Sequence, residues 1–310
     1  MGFDSSGRQR ILAELGEKGP LVYDGSKGVY LDTRLAEVGR EASDVSEWLN
    51  ILAPQLVQQC HRDYIAAGSQ VIQTNTFNGN RFRLEAHGLA DKVHEVNLVA
   101  GQVAREAAGN DVPVAGSMGP SGKWLVTGEV TTEALKEGFA EQARALDEGG
   151  VDFFHVETMA DLDEAAAAVE GIRSVSALPV ALTMSFDTGK PERGLRTMAG
   201  VTPRQLVEKA GELGLLAIGE NCGLGLDGYQ VVMTEMLAAS PGRPLITKVN
   251  AGIPRMEAGQ IVYDGTPERM AEYAVWCADH GVALIGGCCG STPAHIEAMA
   301  RVLAGSRRGS

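Results

Sequence analysis

The chain has 310 residues, 44% of them apolar, with 40 acidic side chains against 27 basic ones and a formal charge of −13 at neutral pH. A chain of this length and composition buries a full core, which excludes a disordered or low-complexity class. The acidic balance argues against a nucleic-acid surface, because a phosphate backbone rewards clustered Lys and Arg and no such cluster occurs.

The first residues, Met1-Gly-Phe-Asp, carry no basic region followed by an apolar core. The two longest stretches without Asp, Glu, Lys or Arg, Tyr64–Asn80 and His280–Ile296, are broken by Gly, Asn, Gln or Pro and fall short of a membrane span. A cytoplasmic protein is expected. Its 5 cysteines are an odd number, with Cys288 and Cys289 adjacent, a poor layout for a disulfide framework. Thiols kept reduced for metal or catalysis are the better reading.

Taken in chain order, eight short apolar or β-branched runs end in Gly, Asn, Thr or an acidic residue and predict strands: Leu21–Asp24, Gln70–Thr74, Pro113–Gly116, Asp152–Glu157, Pro179–Met184, Leu215–Glu220, Pro244–Val249 and Val282–Gly287. Between them, Val45–Ala67, Leu89–Ala108, Thr132–Glu148, Leu162–Ile172, Pro203–Leu213, Gly228–Ala238 and Pro267–His280 repeat apolar residues at three and four positions and predict helices. Thr202-Pro203 and Thr266-Pro267 carry helix-start signals, a capping hydroxyl followed by proline.

Alternating strand and helix implies parallel strands joined by crossovers, and eight repeats close a single (β/α)8 TIM-type barrel. The expectation is one domain over 1–310, with the barrel core at about 21–303. A doubly wound open sheet is the alternative, but no Gly-x-Gly-x-x-Gly follows the first strand.

In a barrel the working side chains sit where strands end. Those ends are polar here: Asp24-Gly25-Ser26-Lys27-Gly28, Thr74-Asn75-Thr76-Phe77-Asn78, Glu157-Thr158, Asn221-Cys222, Asn250-Ala251-Gly252 and Gly286-Gly287-Cys288-Cys289-Gly290. The topology would bring Cys222 to the Cys288-Cys289 pair, and three thiolates suit a Zn2+ that keeps its fourth position open. The competing reading makes each cysteine a small hydrophobe in a tight turn. Cys60 and Cys277 fall inside helical patterns and are read as packing residues.

An open three-thiolate zinc suits a substrate that is itself a thiol, which points to alkyl transfer to sulfur. An amino-acid thiol also needs acceptors for its ammonium, available from Asp24 and Glu157, and donors for its carboxylate, available from the Gly25–Gly28 amides, including those of Gly25 and Ser26.

Asp24-Gly-Ser-Lys-Gly, Thr74-Asn-Thr-Phe-Asn, Asn221-Cys222 and Gly286-Gly-Cys-Cys-Gly resemble the zinc-dependent homocysteine S-methyltransferase family, over roughly Leu21 to Leu303. That family includes betaine–homocysteine methyltransferase and the homocysteine domain of cobalamin-dependent methionine synthase. Met184-Ser-Phe-Asp-Thr, Lys248-Val-Asn-Ala-Gly-Ile-Pro and Tyr263-Asp-Gly-Thr-Pro look most like bacterial betaine–homocysteine methyltransferases.

The resemblance implies that Cys222, Cys288 and Cys289 hold zinc, with the homocysteine sulfur as fourth ligand. It implies that Asp24, Glu157 and Thr76 hold the amino-acid end, and that Asn250 is the oxygen ligand before the thiol arrives. No catalytic residue is implied beyond the zinc-bound thiolate.

The implied reaction methylates homocysteine to methionine, with betaine or a similar small methyl-onium compound as donor. Trp48 and Phe77, aromatic faces of the kind a quaternary ammonium seeks, are donor-side candidates, together with Asn78, which stands where the resemblance to the animal betaine enzymes implies an aromatic residue. The alternatives are a methyl-corrinoid protein acting in trans, as no attached corrinoid module is expected after the last helix, and a non-catalytic zinc- or thiol-binding subunit. Lys27 departs from the family pattern; it either points to solvent or meets a charge in the site. No partner in nucleic acid or membrane is expected, and nothing in the pattern identifies a self-complementary apolar patch.

Overall fold

The computed structural model describes residues 6–17, 19–41, 43–223, 225–239, 244–257 and 260–306. Eight parallel strands form one curled sheet: β1 (Leu21–Val22), β2 (Ile72–Gln73), β3 (Val114–Met118), β4 (Phe153–Met159), β5 (Val180–Met184), β6 (Ala217–Asn221), β7 (Leu245–Val249) and β8 (Leu284–Gly287). Each falls within or one to two residues beyond its predicted run. β1 pairs with β8, and pairing then runs through β7, β6, β5, β4 and β3 to β2. The outermost strands meet at a parallel bridge between Tyr23 and Val71, where the Asp24 N–H donates to the Val71 carbonyl at 3.1 Å.

Period-two alternation sorts the strand residues. On β4, Phe153, His155 and Glu157 face the interior in sequence: Phe153 joins a basal apolar layer with Tyr23, Val71, Ile246 and Leu284, His155 stacks on the Tyr23 ring, and Glu157 reaches the upper cavity. On β7, Ile246 and Lys248 face inward, while Thr247 turns to Tyr273 in the helix layer, their hydroxyls 3.0 Å apart. The interior thus grades from apolar at the strand starts to charged at the strand ends.

The opposite face of the sheet packs against the helices in a continuous core that includes Val57, Phe139, Phe154, Leu206, Met233 and Met270. Cys60 and Cys277 lie fully buried in it, within helices Pro54–Ala66 and Pro267–Asp279. Both predicted Thr-Pro starts are formed: Thr202 caps helix Pro203–Leu213 through a reciprocal box with Gln205, and Thr266 caps Pro267–Asp279.

Several elements depart from the predicted pattern. The single helix expected over Val45–Ala67 is broken at Ala53, with Trp48–Leu52 before it and Pro54–Ala66 after it. Pro54 has no N–H and disfavours helical geometry in the residue before it, and Ala53 accordingly takes φ −149°. Helix Ser6–Ala13 seals the base of the sheet, with Leu12 in the basal layer. There Arg8 Nε contacts Asp152 Oδ1 at 2.8 Å, and Arg105 pairs with the other oxygen of Asp152. Two antiparallel ribbons, Thr188–Lys190 with Gly194–Arg196 and Pro254–Glu257 with Gln260–Tyr263, extend the loops after β5 and β7. Among the described residues no helix is long and apolar enough to cross a membrane.

Candidate functional site

A cavity of about 290 Å³ opens at the C-terminal ends of the strands. It is lined by Gly25, Ser26 and Lys27 after β1, by Gln73 and the Thr74–Asn78 segment after β2, and by Ser117, Glu157, Lys248 and the three cysteines Cys222, Cys288 and Cys289.

The thiols come together because two loops turn sharply, one after β6 and one after β8. Gly286 and Gly287 end β8 where a side chain could not fit: a Cβ at Gly286 would stand 2.7 Å from Tyr23 Cβ, and one at Gly287 would stand 2.3 Å from Ser291 Oγ. The backbone of β8 therefore runs hard against β1, and Cys288 and Cys289 emerge at the cavity. Cys222 reaches the same point with φ 54°; it and Thr158, at φ 60°, are the non-glycine residues with positive φ among those described. Both are strained positions for residues with a Cβ.

Asn221 ties these two positions together. Its Oδ1 accepts from the Thr158 N–H at 2.8 Å and from Thr183 Oγ1 at 2.6 Å. Its amide group donates to Thr158 Oγ1 at 2.6 Å, to Glu157 Oε2 at 3.4 Å and to Cys288 Sγ at 3.8 Å. One buried amide thus fixes a carboxylate, a thiol and a left-handed turn.

The three Sγ atoms lie within 4.8 Å of one another, with Cys222 and Cys289 at 3.4 Å, and all three are half-buried free cysteines. A tetrahedral ion with metal–sulfur bonds of about 2.3 Å separates its sulfurs by roughly 3.8 Å, so this donor set fits a thiophilic metal. The electrostatics agree. Donation from Cys222 and Cys288 holds the Cys289 thiol down at about 3, while Cys222, as the donor to both neighbours, is pushed far above the ordinary thiol range. Without a cation the cluster bears one thiolate well and three badly.

Asn250 stands on the same side. Its amide group donates to the Gly223 carbonyl at 3.1 Å, its backbone N–H donates to Tyr229 Oη at 3.1 Å, and its Oδ1 is buried without a hydrogen-bond partner. A buried oxygen without a partner beside the Cys222–Gly223 turn is chemically able to serve as a further ligand, although Asn250 is not among the residues lining the cavity.

Glu157 lines the inner wall, and Asp24 lies behind it, covered by Lys27 and Lys248; both carboxylates are buried. Burial alone would raise the Asp24 carboxyl, but the Lys248 and Lys27 ammoniums and the Gln73 N–H hold it below the usual carboxylate range. Burial dominates at Glu157 and lifts its pKa, against Lys248 and the Ser117 hydroxyl that donates to it. Gln73 Nε2 also donates to Glu157 Oε1 at 2.9 Å.

The rim loop carries Ser26, whose Oγ caps the short helix Lys27–Leu31 and whose N–H donates to Ser291 Oγ at 3.1 Å. Thr76 lines the cavity, yet its hydroxyl donates to the Ser117 carbonyl at 2.7 Å. Phe77 and Asn78 reach the cavity, and Phe77 is the aromatic among the described lining residues. Gly119 admits it, since a Cβ there would meet the Phe77 ring at 2.6 Å. Trp48 lies elsewhere: its Nε1 donates to the His87 carbonyl at 3.2 Å and its ring stacks under the Arg40 guanidinium at 3.8 Å.

Lys27 is only 7% exposed and pairs with Asp24, so it faces the site and not solvent. Lys248, Gln73, Ser117 and Asn221 were not singled out from the sequence. Lys248 carried a signal, a cation at an inward position of an otherwise apolar strand.

The homocysteine S-methyltransferase family profile matches residues 21–303. The methionine synthase of Mycobacterium tuberculosis is 32% identical over 307 residues, covering 93% of this chain. This chain spans about a quarter of that relative's length, 25%. Among solved structures, the metallated form of the homocysteine methyltransferase MmuM from Escherichia coli superposes with a TM-score of 0.76 at 23% identity, covering 94% of this chain and 99% of that one. Its apo form gives 0.71 at 22% identity over 92% and 96%. At these identities the two structures establish likeness of fold.

Proposed function

Because the chain belongs to the homocysteine S-methyltransferase family, we propose that it transfers a methyl group to the thiol of homocysteine to form methionine, using a zinc ion on Cys222, Cys288 and Cys289. The observation that carries this reading is the cluster of three thiols within 4.8 Å in one cavity with the buried Glu157, and with Asp24 paired to the cavity residue Lys27 just behind it. We read the sheet as a closed (β/α)8 barrel and the chain as one domain with its barrel core at about 21–303. The Tyr23–Val71 bridge between the outermost strands supports closure.

Zinc, when bound, lowers the pKa of a coordinated thiol while leaving its sulfur nucleophilic. The protein supplies the rest by positioning. Asp24 and Glu157 take the substrate ammonium, and Ser117 and Gln73 orient Glu157 for that contact. The Asn221 amide fixes Glu157 relative to Cys288, so that the amino-acid end and the sulfur end of the substrate are set in one frame. Asn250 Oδ1 is the oxygen available to the metal before homocysteine arrives.

Betaine or a similar small methyl-onium compound is the proposed donor, approaching past Phe77 and Asn78, with the Phe77 ring toward its onium head. Trp48, engaged by Arg40 and His87, is not part of that wall. The free thiols suit a reducing, cytoplasmic setting.

The test is a donor screen: zinc-replete protein, homocysteine, and betaine, S-methylmethionine or a methyl-corrinoid protein in separate reactions, with methionine measured. Turnover with betaine or another onium supports the proposal. Turnover with the corrinoid protein alone replaces the donor, the relation to a much longer methionine synthase being the reason for that arm. Metal binding without turnover in any arm favours a non-catalytic zinc- or thiol-binding subunit.

A further inference from the structure

The buried charges beside the thiols are already paired before any substrate is present. Asp24 Oδ1 accepts from Lys248 Nζ at 3.0 Å, and Asp24 Oδ2 accepts from Lys27 Nζ and, at 2.8 Å, from the Gln73 N–H. An incoming ammonium reaches Asp24 only by displacing one of the two lysines. Lys248 is held from two further sides, by Gln73 Oε1 at 2.6 Å and by the Tyr23 ring at 4.0 Å. Lys27 has weaker additional support, the Gly25 carbonyl at 3.4 Å and the Tyr64 ring at 5.5 Å, and it sits on the rim. Lys27 is therefore the cation that can move.

Resting on the homocysteine reading above, we infer that Lys27 is a specificity-determining residue that binds the substrate's carboxylate. The amino-acid thiol inserts its zwitterion into the Asp24–Lys27 ion pair, with its ammonium on Asp24 and its carboxylate on Lys27. Such an insertion turns one buried ion pair into two and leaves no charge alone. A thiol amine lacking the carboxylate would take Asp24 and strand Lys27, 7% exposed, without a partner, which low-dielectric surroundings penalise strongly. Of the rim amides, the Ser26 N–H is already spent on Ser291 Oγ and the adjacent Val29 N–H on Ser26 Oγ, and none of them carries a charge to balance the substrate carboxylate.

The experiment is calorimetric titration of the zinc-loaded protein, without methyl donor, with L-homocysteine and with 3-aminopropane-1-thiol, which lacks only the carboxylate. The wild type is expected to prefer homocysteine by more than about tenfold, and Lys27→Met is expected to reduce that preference to within about threefold at unchanged zinc content. Lys27→Arg, which keeps the cation, retains the preference, and Lys27→Gln reproduces its loss should the Met variant fold poorly. An unchanged preference in both neutral variants, or no preference in the wild type, overturns the inference while leaving the homocysteine reading intact. A wild type that binds neither thiol overturns that reading and the inference with it.

Discussion

Cys222 Sγ stands 3.4 Å from Cys289 Sγ, joining the end of β6 to the end of β8. The two residues are far apart in the chain, and two local features hold them together: the side-chain-free passage of Gly286 and Gly287 past Tyr23 and Ser291, and the strained left-handed backbone of Cys222. Strain of this kind persists where the surrounding structure over-determines it.

Replacing Cys222, Cys288 or Cys289 with Ala is expected to lower bound zinc from about one ion per chain to nearly none, because a site with two sulfurs loses both affinity and geometry. Metal analysis after dialysis reads the stoichiometry. Circular dichroism should show the α/β signature retained, since the cluster lies at the strand ends and not in the core. Full zinc in any one variant would remove that cysteine from the site.

Glu157→Gln is expected to weaken homocysteine binding by roughly 10- to 100-fold, the loss of one charge-assisted contact. The amide oxygen can still accept from Ser117 and Gln73, and only the longer 3.4 Å contact from the Asn221 amide is lost. Titration of the zinc-loaded variant with homocysteine reads the effect; unchanged affinity would show that the ammonium does not meet Glu157.

Glu47 gives a pH prediction separate from the chemistry. Burial raises its carboxyl from 4.5 to about 7, although the Asn78 N–H opposes the shift. With a folded pKa above the unfolded one, the proton stabilises the fold fully below about 4.5, and that contribution is lost as pH rises through about 7. Glu47→Gln should therefore be more stable than the wild type at pH 8, by at most about 3 kcal/mol, and close to it at pH 4.5. Urea midpoints at the two pH values test this; a difference independent of pH would contradict it.

At the base of the sheet, Asp152→Ala should destabilise by about 3–5 kcal/mol, because it removes the carboxylate paired with the buried Arg8 and Arg105 guanidiniums and leaves them carbonyl contacts in place of that counter-charge. The site at the opposite ends of the strands should keep its zinc and its affinity for homocysteine. Thermal unfolding together with metal analysis separates the two effects.

The strands and most helices were legible because each is a local pattern: a run of apolar residues, then a glycine or a polar stop. The site was legible to the extent that its residues lie at strand ends, which the alternating order of elements identifies. Contacts across the interior were not legible. That Lys27 folds back onto Asp24 three residues earlier, while Lys248 reaches the same carboxylate from β7, depends on which residues of separate strands face one another. Trp48 illustrates the converse. As an aromatic residue it was a donor-side candidate, but its ring stacks on the Arg40 guanidinium and its indole N–H donates to the His87 carbonyl, away from the cavity. Asn221 carried no signal of its own beyond its place before Cys222, and its role appears only through the five groups it joins.

The central claim is that the three cysteines hold a metal that receives the substrate's sulfur. X-ray absorption at the zinc edge measures this directly, before and after addition of homocysteine. The account predicts three sulfur ligands and a lighter atom at first, and four sulfurs when homocysteine is present. Fewer than three sulfurs in the free protein, or a coordination shell unchanged by homocysteine, would contradict it.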